Sequence, residues 1–139
     1  MFTLQKKIVG LMLLLSISAN TLAHNDTSKA SSKLQSNAIE FARQAGSIAG
    51  IASACGQNLD VFSARITEAL NKLAYDSADK TAAALVYQRI RQEAQIAEKK
   101  NKMIPCSKVL HDFRNLPIMQ ADYKTNVIDQ LNPTSPEKK

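Results

Sequence analysis

The sequence predicts an all-α protein, a compact helical bundle of four to five helices pinned by one disulfide, and three observations carry that reading. Apolar residues recur at steps of three and four through most of the chain. Alanine is abundant, aromatic residues make up 5% and Trp is absent, a composition suited to helices that pack closely. β-branched residues do not gather into alternating runs, which argues against a sandwich or a barrel.

Residues 1–23 read as a signal peptide. Lys6 and Lys7 supply the positive flank, Ile8 through Ile17 a short apolar core, and Thr21-Leu22-Ala23 the small residues read by a signal peptidase. The apolar run of about ten residues is half of what a bilayer span needs. Cleavage after Ala23 would leave 116 of the 139 residues, starting at His24 and destined for the periplasm or the exterior. Residues 24–32 are polar and are expected to form a flexible arm. Residues 33–131 form the expected bundle domain, and 132–139, with Pro133 and Pro136, a disordered tail.

The first helix is expected from about Lys33 to Cys55. Leu34, Ala38, Phe41, Ala45, Ile48, Ala52 and Cys55 mark one face, and Gly56 is the natural stop. Gly46 and Gly50 each cost about 1 kcal/mol against alanine inside a helix, a cost that makes sense where a neighbouring backbone approaches closely. Their GxxxG spacing is also the membrane-dimerisation pattern, but Arg43, Gln44 and Gln57 nearby favour packing in a soluble bundle. Asn58 would cap a second helix through Ala74, with Leu59, Phe62, Ile66, Leu70 and Leu73 inward. Asp76, Ser77 or Asp79 would cap a third helix reaching about Lys100, with Ala83, Tyr87, Ile90, Ala94 and Ala97 inward. Pro105 holds Ile104 extended. A short fourth helix, Ser107 to Asn115, would bury Val109, Leu110 and Phe113, with Ser107 as its cap. Pro117 opens a fifth helix in which Met119, Tyr123, Val127 and Leu131 share a side.

Cys55 and Cys106 are the only cysteines, and an even count in an exported chain implies a disulfide. Two free buried thiols or an intermolecular bridge are the alternatives. A bridge would tie the end of the first helix to the entry of the fourth.

With Lys6 and Lys7 removed, 16 basic side chains face 12 acidic ones, a net charge of +4. The excess is local: Lys80, Arg89, Arg91, Lys99, Lys100, Lys102 and Lys108 are opposed in that stretch only by Glu93 and Glu98. Arg89, Arg91, Lys99, Lys100, Lys102 and Lys108 are the candidate binding residues. Their partner would be anionic lipid headgroups or an acidic protein, unless the face is simply solvated, and lysines also favour a helix C-terminus. Nucleic acid is disfavoured, since the protein is exported and no aromatic platform accompanies the charges.

Catalysis has little support. No HExxH, P-loop, GxSxG or GxGxxG pattern occurs, and the cysteines have neither metal nor redox spacing. Ser107 and His111, four apart on a helix, could meet as nucleophile and base, but a triad also needs a separately placed acid and an oxyanion hole, and Asp112 lies on the wrong side. His24, as a new N-terminus, could chelate copper through its α-amino group and imidazole with His111 as a third nitrogen, but nothing in the polar arm would fix it. No cofactor is expected.

Two segments, AGSIAGIASACG at Ala45–Gly56 and IPCSKVLHDFRNLP at Ile104–Pro117, with their paired cysteines between helices, resemble small exported helical exoproteins of Gram-negative bacteria. The type II-secreted proteins of Legionella and its relatives are of this kind. The resemblance implies secretion or a periplasmic stay, a disulfide-pinned bundle and a role at the host interface. The acid-stress periplasmic chaperones share the architecture of two such cysteines in a small helical protein. The function expected is therefore a secreted, non-enzymatic binding protein that meets acidic or phosphoinositide-bearing membrane peripherally. The alternative is a chaperone-like or partner-binding module.

Overall fold

The computed structural model describes residues 36–133, and the signal peptide, the arm, the expected start of the first helix at Lys33 and Leu34, and the last six residues of the tail lie outside them. Among the described residues five α-helices follow one another: α1 (Asn37–Ala54), α2 (Asp60–Leu73), α3 (Ser77–Asn101), α4 (Cys106–Arg114) and the single turn α5 (Tyr123–Asn126). Short 3-10 turns at Pro117–Met119 and Ile128–Gln130 flank α5. The protein is all-α, and Cys55 and Cys106 form its disulfide, with their Cα atoms 5.3 Å apart.

Local chemistry sets the helix ends. Ser36 begins α1 by accepting from the Ile39 N–H at 3.1 Å. At its other end Gly56 takes a positive φ of 81°. The Gln57 N–H returns to the Ala52 carbonyl, and the Gly56 N–H to that of Ser53, a Schellman closure. Asn58 stands one residue ahead of the α2 cap position and accepts from the Asp60 N–H at 2.8 Å. Asp76 caps α3 through the Asp79 N–H at 2.7 Å, and the buried Asp79 carboxylate reaches back to the Tyr75 N–H. Pro105, not Ser107, precedes α4; Ser107 lies exposed in its first turn and makes no cap.

The helices alternate in direction, with α1 in the middle. Its buried side chains are almost all alanine (Ala38, Ala42, Ala45, Ala49, Ala52), on a face broader than one heptad seam because α2, α3 and α4 all pack on it. The α1–α3 contact is the most extensive of these. A Cβ on Gly46 would stand 2.8 Å from the Tyr87 carbonyl oxygen, and one on Gly50 only 2.4 Å from that of Arg91. The two glycines therefore let the α3 backbone reach α1, as their cost in propensity implied. Bulk comes from the other side of the bundle, where Phe62 and Ile66 of α2 are fully buried and Phe62 meets Phe113 of α4 at 5.0 Å. Polar ties join the same helices: Gln95 donates to Ser53 at 2.9 Å, and the Ser63 and Tyr87 hydroxyls lie 3.1 Å apart.

Two expectations about the helices need correction. The segment after Pro117 is not one helix. Arg65 of α2 donates to the Ile118 and Gln120 carbonyls at 2.8 and 3.1 Å, capturing acceptors that a continuous helix would use. Its guanidinium also stacks 4.0 Å from the centre of the Tyr123 ring, and Tyr123 donates to Glu68. On α3, Ala97 is exposed and Glu98 is buried in its place. The Glu98 carboxylate accepts from the Ile104 N–H of the following loop.

Candidate functional site

The end of the bundle that carries the disulfide gathers the C-terminus of α3, the loop at residues 102–105 and the start of α4. Lys99 and Lys100 occupy the last turn of α3. Lys102 follows with φ 44°, a left-handed conformation, and its N–H closes the helix on the Glu98 carbonyl at 2.8 Å. Glycine is the residue suited to this position, and lysine there carries backbone strain. The loop is then fixed twice more, by the bond from Ile104 to Glu98 and by the bridge from Cys106 to Cys55.

Charge is distributed unevenly among the six candidate residues. The side chains of Lys99, Lys100 and Lys102 are exposed and make no ion pair or hydrogen bond among the described residues. Lys108, in the first turn of α4, is paired with Asp112 at 2.6 Å. Arg89 is exposed and lies 3.8 Å from Glu93. Arg91 is half-buried on the opposite flank of α3, its backbone against the glycines of α1, and does not share a face with Arg89. The structure thus brings Arg89, Lys99, Lys100 and Lys102 to the outer side of α3 and its end, and leaves Arg91 out.

The basic residues are not alone there. Leu85 and Ile96 on α3 are each 67% exposed, and Met103 in the loop is 78% exposed. At 100° per residue, Leu85, Gln92 and Ile96 fall on one line along the helix. Arg89 and Lys100 flank that line on one side and Lys99 on the other. Ile104 is also exposed, next to Met103. The sequence predicts one inward apolar stripe on α3, Ala83, Tyr87, Ile90, Ala94 and Ala97, and does not single out Leu85 or Ile96. The signal that would have found the second stripe is the eleven-residue spacing of Leu85 and Ile96, three turns on the side facing away from Ala83 and Ala94.

His111 is exposed on α4, its ring facing the Asn115 amide at 3.1 Å, while His24 lies outside the described residues. Among the described residues no three His, Cys, Asp or Glu side chains are grouped to hold a metal ion. A shallow groove of ≈ 400 Å³ lies at the other end of the bundle, between Asn37, Phe41, Leu73 and Leu131. A smaller one of ≈ 110 Å³ lies between α2 and α3 near Ser63, Lys80 and Tyr87. In the second, the Ser63 hydroxyl is engaged by the Tyr87 hydroxyl, and among the described residues no hydrogen bond joins the Lys80 side chain to either. Among the described residues no helix is long and apolar enough to cross a membrane. No protein-family model, curated protein or solved structure matches this chain.

Proposed function

We propose that this is an exported, non-enzymatic binding protein that attaches peripherally to acidic membrane, including phosphoinositide-bearing membrane, through the basic end of α3 and the loop that follows it. The observation that carries this reading is that Lys99, Lys100 and Lys102 are exposed and unpaired among the described residues, beside exposed apolar side chains. The helix macrodipole gives a structural reason for Lys99 and Lys100. It gives none for exposing Ile96 and Met103, nor for keeping a lysine in the left-handed position at 102. Near an acidic surface each basic side chain contributes about 1 kcal/mol, so three give roughly a hundredfold preference over a neutral surface.

Sedimentation with vesicles of varied headgroup across a salt series tests the proposal. The chain lacking residues 1–23 is expected to pellet with acidic vesicles at low salt and not with neutral ones. Changing Lys99, Lys100 and Lys102 together to Glu should abolish pelleting and leave the helical circular dichroism intact. Equal recovery on acidic and neutral vesicles would reject the reading. A chaperone-like module is the second reading, favoured by the exposed Leu85, Ile96 and Met103, and it predicts suppression of client aggregation at low pH.

A further inference from the structure

On the reading of an acidic-membrane attachment, we infer that α3 lies flat on the bilayer and inserts the side chains of Leu85, Ile96 and Met103 into its interface. These three are among the most exposed large apolar residues described, and Leu85 and Ile96 share one helical line with Met103 following at its end. Basic side chains border that line on both sides, Arg89 and Lys100 on one and Lys99 on the other. This is the arrangement of an interfacial helix, in which apolar side chains enter the acyl boundary and long cationic stems reach back to the headgroups. Glu93 lies farther round the flank and is paired with Arg89, so it does not interrupt the line.

The surface is also preorganised. The inward face of α3 is locked against α1, and Met103 sits in a loop held by Glu98 at one end and by the disulfide at the other. Little ordering remains to be done when it meets a bilayer. Binding through charge alone would fade uniformly with salt, whereas inserted apolar side chains leave a salt-resistant component. An acidic polypeptide would match the lysines but offers no apolar layer to receive the line between them.

Because the chain contains no Trp, single substitutions report without background. Leu85→Trp and Met103→Trp are each expected to blue-shift on vesicles of phosphatidylserine and phosphatidylcholine, and to be quenched by lipids spin-labelled high on the acyl chain. Thr125→Trp, exposed on α5, which packs on its two flanking 3-10 turns, should do neither. Ile96→Ser with Met103→Ser should lower vesicle affinity at least tenfold, with unchanged circular dichroism. Acidic-vesicle binding with both reporters unquenched and the double serine variant unaffected would overturn insertion while leaving charge-driven attachment standing. Quenching at Met103 but not at Leu85 would overturn the flat pose. Binding of soluble polyglutamate as tight as vesicle binding would overturn the bilayer as occupant. No preference for acidic over neutral vesicles would overturn both the insertion and the reading on which it rests.

Discussion

Replacing Gly50 by Ala sets two effects of similar size against each other, and the geometry decides between them. Alanine is favoured over glycine inside a helix by about 1 kcal/mol. The new Cβ, however, would stand 2.4 Å from the Arg91 carbonyl oxygen, 2.6 Å from the Ala94 Cβ and 2.8 Å from the Gln95 nitrogen. A relaxed carbon–oxygen contact is about 3.3 Å or more, so α3 must retreat by about 1 Å. Two of the three atoms are backbone and cannot swing aside. Overpacking costs about 1–3 kcal/mol, and the retreat also loosens neighbouring contacts along α1, so a net loss of about 2 kcal/mol is expected. In a domain of this size that lowers Tm by about 10 °C. At Gly46 the nearest atoms are 2.8 Å and 3.0 Å away, and Gly46→Ala should fall within about 1 kcal/mol of the parent. Urea unfolding with the disulfide intact, followed by far-ultraviolet circular dichroism, measures both, and an unchanged m value confirms that midpoint shifts report stability. A Gly50→Ala protein as stable as the parent, or no worse than Gly46→Ala, would refute the close-approach account.

Lys102→Gly should raise stability by about 1 kcal/mol in the same assay, by relieving the left-handed lysine, and at the same time weaken acidic-vesicle binding. Arg65→Ala should cost about 2 kcal/mol and open residues 117–131 to limited proteolysis, and Arg65→Lys should not restore protection, because an ammonium lacks the planar fork. Replacing Cys55 and Cys106 by Ser removes a constraint on a loop of 51 residues, worth up to roughly 4 kcal/mol. Hydrogen exchange should then find α4 opening before α1, since α4 buries only Val109 and Phe113.

What could be read from the sequence is what neighbouring residues settle among themselves. A cap among Asp76, Ser77 and Asp79, the stop at Gly56, the inward residues of α2 and the all-α class belong here. So does the meeting of α1 and α4 at the disulfide, because only two cysteines were available. What could not be read depends on partners distant in the chain. The break after Pro117 is imposed by Arg65, more than fifty residues away, through two carbonyls that local propensity would assign to a helix. Ala97 and Glu98 flank the inward line of α3 about equally at 100° per residue, and the folded-back Ile104 amide selects Glu98. The candidate lysines were legible as a charge excess. The apolar residues between them were not, because outward and inward stripes on one helix are indistinguishable until a neighbour covers one of them.

The glycine pair of α1 controls more than distance. A ridge of α3 seated in the notch between Gly46 and Gly50 cannot slide by a residue without driving Cβ atoms into backbone, and a one-residue slip is also a turn of 100° about the helix axis. The notch is therefore a rotational detent. Two side chains that are absent, on a helix that never touches solvent at those points, decide the direction in which Leu85 and Ile96 face the world.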